Sequence, residues 1–116
     1  GPAEHDTITA CTSHAPMLLA MAMALAAGEL RETHPELPML SAGGFRDTTR
    51  MASNPPWLAA DVWANNREAI GAVLDRLIEK LNRLKNTSPG EMLELAEKAK
   101  EARETILAEG TGRWKA

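Results

Sequence analysis

The chain has little of what marks several common classes of protein. Its single cysteine, Cys11, excludes an internal disulfide framework and is compatible with a reducing cytoplasm. A formal net charge of -3 provides no basic surface for nucleic acid. No histidines and carboxylates have the spacing of metal ligands, so we predict no metal site. Nothing near the N-terminus resembles a secretory signal peptide.

Long hydrophobic runs are also scarce. The longest apolar stretch covers residues 15–27, whereas crossing a bilayer takes about 20 residues, so we predict no membrane span. A helix that is apolar on all sides is buried on all sides. A chain this small can hardly surround such a helix. We therefore expect a second copy of the chain to complete the burial in a two-fold dimer.

The remaining composition is typical of a compact soluble all-α domain, with 44% hydrophobic and 25% charged residues. Apolar residues recur three and four apart over residues 58–85, which predicts a long amphipathic helix. The run Ser88-Pro89-Gly90-Glu91 then supplies an N-cap, an N1 proline and a capping-box glutamate for a last helix ending near Glu109. Prolines and a glycine predict a connector over residues 28–41, in which residues 29–32 could form a short turn of helix.

The chain also lacks the Gly-x-Gly-x-x-Gly turn that places a dinucleotide pyrophosphate on a helix N-terminus. We therefore predict no cofactor site in this chain. Its length suits a single domain. We interpret residues 1–3 as a tag-cleavage scar and leader, because a Gly-Pro start without methionine is what tag removal leaves. Residues 4–109 are predicted to be the helical domain and residues 110–116 a frayed tail.

Residues 43–52 are the most informative segment, with the sequence Gly-Gly-Phe-Arg-Asp-Thr-Thr-Arg-Met-Ala. Arg46 and Arg50 are four apart, so on a helix they share a face. Guanidinium groups are preferred partners of planar carboxylates. The two arginines are therefore candidates for binding a carboxylate ligand. The alternative is that either of them pairs with Asp47 or a neighbouring helix and has only a structural role.

A second polar segment lies at the start of the apolar stretch. Pro16 cannot donate an N–H to the carbonyl of Thr12, so we expect the helix to bend there. Such a bend would open space beside His14. Ser13 and His14 then either bond to the loosened backbone or line a pocket.

The order of these motifs resembles the C-terminal helical domain of the prephenate and arogenate dehydrogenases. The matching motifs are His5-Asp6, Ser13-His14-Ala15-Pro16, residues 43–52, Asn54-Pro55-Pro56, Asp61-Val62 and Asn66. The resemblance covers residues 4–108, and the string Gly-Phe-Arg-Asp-Thr-Thr-Arg is its most specific part. It implies an all-α domain with a buried N-terminal helix, a long central helix and a C-terminal helix. It also implies an intertwined two-fold homodimer.

The resemblance implies that the parent chain is a cytoplasmic enzyme of tyrosine biosynthesis. Such an enzyme would decarboxylate prephenate or arogenate oxidatively, with NAD or NADP as hydride acceptor. The nucleotide-binding domain, with the acid-base histidine and the cofactor site, is absent here, so we expect no catalytic residue in this fragment. The alternative is a non-catalytic helical dimerisation module joined to a different catalytic partner.

The resemblance also implies roles for individual residues in substrate binding. It puts Arg50 against a substrate carboxylate, in a pocket that His14, Ser13 and Arg46 would share. The backbone of Gly43 would lie near this pocket across the dimer interface.

Two departures from the family pattern fall within the implied pocket. Met17 stands where many prephenate-using members carry a second histidine, and a thioether cannot donate a hydrogen bond. Trp57 lies two positions before Ala59, the place at which family members commonly have a tryptophan. Trp57 either fills the same space from another angle or packs in the core.

Overall fold

The computed structural model describes the backbone of residues 1–115 and the side chains of residues 1 and 3–111. Over that range it contains helices and no strand, which confirms the all-α class. The elements are α1 (Pro2–Thr9), a π turn (Ala10–His14), α2 (Ala15–Thr33), α3 (Leu37–Leu40), α4 (Gly43–Thr48), a 3₁₀ helix (Arg50–Ser53), α5 (Pro56–Lys85) and α6 (Pro89–Lys115). The first compact unit is Gly1–Arg76, and a second unit begins at Leu77.

The disturbance expected at Pro16 is a π turn. Pro16 lies in the first turn of α2, where its missing N–H is tolerated. The preceding turn, Ala10–His14, is wound more widely, so the N–H of Ala15 reaches the carbonyl of Ala10. His14 is therefore the last residue of a π turn, a local geometry that is frequent at functional sites.

The connector predicted over residues 28–41 is wrong in its first part. Helix α2 continues through Gly28 and ends at Thr33. A glycine inside a helix costs about 1 kcal/mol relative to alanine, and the neighbouring glutamates, leucine and arginine are good helix formers. The helix ends where Pro35 excludes the α conformation from the residue before it. That residue, His34, has φ -132 and ψ 75, and it is exposed.

The core of the first unit is small and consists mostly of alanine. The buried hydrophobic side chains are Ala10, Ala15, Met17, Ala20, Ala27, Ile70 and Val73. Helix α2 supplies four of them and packs against the π turn and the 3₁₀ helix. Ile70 is the only large side chain among the described residues that is completely buried. Little apolar surface is therefore removed from water within one protomer.

Only one face of α2 is buried by its own chain. We call the opposite side the exposed α2 face, formed by Leu19, Ala22, Met23, Ala26 and Leu30. These residues are three and four apart, so they lie on one side of the helix. Met23 is 48% exposed and Leu30 is 53% exposed. The N-terminal helix that was expected to be buried is thus only partly covered in a single protomer, with 22% of its most apolar window buried.

The apolar helical run is longer than the sequence analysis assumed. It extends over Ala3–Thr33, 31 residues, with a mean hydropathy of 1.4 in its most apolar 18-residue window. By length and composition this run can cross a bilayer, which corrects the argument that it is too short. The core helix of a soluble protein passes the same test. The absence of a membrane span therefore stays a prediction.

Three of the four ends of the two long helices lie within two residues of the positions predicted from the sequence. Helix α5 begins at Pro56, two residues before the predicted start, and ends at Lys85 as predicted. Ser88 caps α6, since its Oγ accepts a hydrogen bond from the N–H of Glu91 at 3.2 Å and donates to Glu91 Oε1 at 3.1 Å. The predicted end of the last helix at Glu109 is wrong, because α6 continues to Lys115. Of the predicted tail, residue 116 lies outside the described residues.

Candidate functional site

Arg46 and Arg50 line one cavity of about 360 Å³ in the first unit. The other residues around it are Ser41, Phe45, Thr49 and Ser53. Serine and threonine hydroxyls can donate or accept hydrogen bonds, whereas guanidinium groups only donate. The hydroxyls of Ser41 and Thr49 already donate to the carbonyls of Leu37 and Phe45, so the donors that the cavity offers a ligand are the two guanidinium groups and the hydroxyl of Ser53. Its chemistry suits an anion that accepts several hydrogen bonds, such as a carboxylate.

The alternative of structural ion pairs finds no support around these two arginines. In the part of the chain whose side chains are described, neither Arg46 nor Arg50 has a carboxylate within 4.0 Å, and Asp47 pairs with no cation there. Both arginines are exposed. Two like charges that share a cavity repel each other, and binding an anion between them would relieve that repulsion.

The two arginines do not share one α-helix, contrary to the expectation from their spacing. Arg46 belongs to α4, which ends at Thr48, and Arg50 begins the 3₁₀ helix. Thr49 separates the two elements with φ -97 and ψ 4, and its hydroxyl donates to the carbonyl of Phe45 at 2.6 Å. This bond closes the last turn of α4. The turn at Thr49 still leaves both guanidinium groups at the same cavity.

Met17 is held inside the protomer. It is 4% exposed, and the Nδ2 atom of Asn54 lies 4.0 Å from its sulfur. Asn54 directly follows the 3₁₀ helix that carries Arg50. Met17 therefore packs beneath the segment that ends the arginine cavity.

His14 is half-buried and has a partner from α5. Its Nδ1 atom lies 3.2 Å from Nδ2 of Asn66, and the same Nδ2 donates to the carbonyl of Asp6 at 3.0 Å. Ser13, its neighbour in the π turn, is exposed. Neither residue is among those that line the arginine cavity. Asn66 was missed as a functional candidate, although an asparagine inside a long helix often bonds elsewhere.

Gly43 and Trp57 also lie outside the arginine cavity. Gly43 is the first residue of α4, and a Cβ atom built on it would meet nothing within 4 Å. Packing within the protomer therefore does not demand a glycine there. Trp57, in the first turn of α5, is 67% exposed. Core packing within one protomer, the alternative role for this tryptophan, is thus excluded.

A larger apolar groove of about 660 Å³ adjoins the C-terminal half of α2. Its lining includes Met23, Ala26 and Leu30 of the exposed α2 face, together with Leu37, Leu40 and Phe45. Phe45 also borders the arginine cavity. The exposed α2 face is therefore continuous, through this groove, with the segment that carries the arginines.

The first unit is thus an all-α domain that combines an exposed apolar helix face with a cationic cavity. Residues 1–103 match the family model described as "Prephenate dehydrogenase, dimerization domain". Since the match covers most of the chain, the protein belongs to the prephenate dehydrogenase dimerization-domain family. This confirms the resemblance drawn from the sequence.

Individual relatives agree with the family. The chain is 31% identical over 84 residues to the prephenate dehydrogenase of Bacillus subtilis, a match covering 72% of this chain and 23% of that protein. It is 35% identical over 82 residues to the cyclohexadienyl dehydrogenase of Zymomonas mobilis, covering 70% of this chain and 28% of that protein. The chain thus spans about a quarter of the length of these curated relatives.

A solved structure shares the fold. The arogenate dehydrogenase of Synechocystis superposes with a TM-score of 0.79 and 25% sequence identity, and the match covers 91% of this chain and 40% of that one.

Proposed function

We propose that this chain is the dimerisation and substrate-binding domain of a prephenate or arogenate dehydrogenase of tyrosine biosynthesis. The observation that carries the substrate-binding part is the cavity lined by Arg46 and Arg50, whose guanidinium groups have no carboxylate partner among the described side chains. A bidentate pair between Arg50 and a substrate carboxylate would supply both affinity and orientation.

Ser13, His14, Met17 and Trp57 belong to the same proposal, although none of them lines the arginine cavity. His14 lies at the end of the π turn, where Asn66 holds its ring. Met17 packs beneath the segment that follows Arg50, so it would shape the pocket rather than donate a hydrogen bond.

We assign the exposed α2 face to a two-fold homodimer. A second copy is the occupant that the family description, a dimerization domain, supports. The small alanine-rich core also supports a homodimer, because one protomer leaves most of the apolar run Ala3–Thr33 exposed to solvent. The interface is expected to exceed roughly 2,000 Å² in total, the size of an obligate contact. In that dimer the backbone of Gly43, unobstructed in one protomer, is open to approach from the partner.

The hydride chemistry belongs to a part of the enzyme that this chain does not contain. A dehydrogenase reaction needs NAD or NADP, and cofactors carry the hydride transfer. The nucleotide-binding domain of the parent chain would supply that site, in the cytoplasm where such biosynthetic enzymes work. Two domains would then share one substrate, with this chain holding its carboxylate. The alternative proposal is a dimerisation module joined to another catalytic partner. It predicts the same dimer interface, but Arg50 would bind no substrate.

Substitution of Arg50 in the dehydrogenase that carries this domain separates the two proposals. Arg50→Ala is expected to lower kcat/KM by an amount equivalent to about 2 to 5 kcal/mol of transition-state stabilisation, the cost of removing one partner of a charge pair that substrate binding would bury. Arg50→Lys is expected to recover little of it, because an ammonium lacks the planar fork.

Arg31→Ala is the matched control. Arg31 is an exposed arginine in the last turn of α2 and does not line the arginine cavity. Its removal is expected to leave kcat/KM unchanged. A protein in which Arg50→Ala lowers the melting temperature but keeps full kcat/KM would show that Arg50 is structural, and the substrate-binding proposal would be lost.

A further inference from the structure

One side-chain amide links the two ends of the first unit around His14. Asn66 lies in α5 with φ -137 and ψ 28, the one non-helical conformation inside that helix. Its Nδ2 atom reaches the carbonyl of Asp6, 60 residues earlier, at 3.0 Å, and Nδ1 of His14 at 3.2 Å. The two contacts tie α5 to both α1 and the π turn.

The orientation of this amide follows from its partners. A backbone carbonyl only accepts hydrogen bonds, so the NH₂ group of Asn66 must face Asp6. An NH₂ group has two hydrogens, and the second one is available for the ring nitrogen of His14. Reversing the amide would set its oxygen against the carbonyl oxygen of Asp6. The NH₂ group therefore donates both bonds.

This arrangement determines the tautomer of His14. Because the NH₂ group donates to Nδ1, that nitrogen carries no hydrogen, and the neutral ring carries its hydrogen on Nε2. Among the described side chains, His14 makes no other hydrogen bond. Its Nε2–H group is thus the donor that remains for a ligand.

We propose that Asn66 is a positioning residue, which holds His14 in the Nε2–H tautomer and so presents one N–H donor to a substrate oxygen. The tautomer part rests on the geometry alone, and the substrate part rests on the function proposed above. A ring held in the other tautomer would offer a lone pair at Nε2 and repel a carboxylate or carbonyl oxygen. Asn66 would then act on the substrate only through His14.

Nuclear magnetic resonance of the 116-residue chain tests the tautomer part without any substrate. Long-range correlations between ring protons and nitrogens, recorded at about pH 9 where an ordinary imidazole is neutral, are expected to show the Nε2–H form in the unmodified chain. A scalar coupling across the hydrogen bond between Asn66 Nδ2 and His14 Nδ1 is expected in the same sample. A predominant Nδ1–H form would overturn the proposal.

Asn66→Asp supplies the sharpest variant, because it replaces the NH₂ donor by an oxygen acceptor of the same shape. His14 is expected to change to the Nδ1–H form. Asn65→Asp is the matched control: Asn65 Nδ2 donates to the carbonyl of Asp61 at 2.8 Å and to its carboxylate at 3.2 Å, so this variant also replaces a donor by an acceptor on the same helix but does not reach His14. His14 is expected to keep the Nε2–H form in that control. Retention of the Nε2–H form in a folded Asn66→Asp protein would refute the role of Asn66. If that variant unfolds, the scalar coupling in the unmodified chain is the test, and its absence would refute the role.

The substrate part is measured in the dehydrogenase. Asn66→Asp is expected to lower kcat/KM by roughly 10-fold or more, the effect of leaving a substrate oxygen without its donor, while Asn65→Asp changes it little. If Asn66→Asp alters the tautomer of His14 but leaves kcat/KM unchanged, the proposed contact between His14 and the substrate is rejected, and the tautomer part stands. Failure of the Arg50 test would leave the tautomer result standing, so the two proposals fail separately.

Discussion

Arginine introduced at Ala22 tests whether a second copy covers the exposed α2 face. Ala22 is exposed in the single protomer and lies between Leu19 and Met23 on that face. Its replacement creates no buried charge within one chain, so an isolated protomer would tolerate it. In the proposed dimer the new charge meets an apolar partner surface. The substitution therefore discriminates between a surface that stays open and one that is covered.

The expected size of the effect comes from burial. Covering a fully exposed leucine or methionine stabilises by about 1.5 to 3 kcal/mol, and Leu19, Met23 and Leu30 are 37%, 48% and 53% exposed. Each therefore has about 1 kcal/mol left to contribute. An unpaired buried charge costs about 3 to 5 kcal/mol. Two-fold symmetry introduces that charge twice, so the dimer dissociation constant is expected to rise by about four orders of magnitude or more.

Light scattering and sedimentation at micromolar concentration measure this change, with circular dichroism to follow folding. The unmodified chain is expected to be a dimer and Ala22→Arg a monomer or an unfolded chain. Glu32→Arg is the control, because it places the same side chain on the same helix at a position that is already charged and exposed. A well-folded monomer of the unmodified chain, or an Ala22→Arg protein that dimerises normally, would refute the reasoning.

Two further outcomes are expected, one for the unmodified chain and one for a variant of it. Incubated with prephenate or arogenate and either nicotinamide cofactor, the unmodified chain should form no NADH or NADPH, because the domain that carries hydride chemistry is not part of it. Measurable reduction of the cofactor would contradict the proposal that a separate domain carries out hydride transfer. Ser88→Ala removes the side-chain cap of α6 and should destabilise the fold by about 1 kcal/mol in thermal unfolding. Thr87→Ala, one residue earlier and without a capping bond, is the comparison, and equal losses for the two would argue against the cap.

The sequence predicted the second half of the chain best, because its signals there are local. The three and four spacing of apolar residues in α5 and the capping run at Ser88 act within one or two turns of helix. The predicted helix end near Glu109, next to Gly110, was wrong. A glycine after a run of helical residues is a common helix end, but α6 continues through it to Lys115. No local signal near Gly110 forces a stop in the way that Pro35 ends α2.

Of the predicted site residues, only Arg46 and Arg50 lie at the arginine cavity, and their geometry was not predicted. Arg46 and Arg50 were identified from their spacing, which presumed one helix, whereas Thr49 ends α4 between them. They reach the same cavity because the chain turns there. Asn66 and His14 are 52 residues apart, and their contact depends on how α5 lies against the π turn. No periodicity encodes such a pair, so only the fold could reveal it.

The distribution of apolar residues explains why the exposed α2 face carries the argument for a dimer. Hydrophobic residues make up 44% of the chain, an ordinary share for a globular domain. Only seven of the described ones are buried, none of them after Val73, and four of the seven are alanines. A composition suited to a substantial core therefore coexists with a core of mostly small side chains. Since burial of apolar surface is the main favourable term in folding, a second copy that covers the exposed α2 face would supply stabilisation that one protomer lacks.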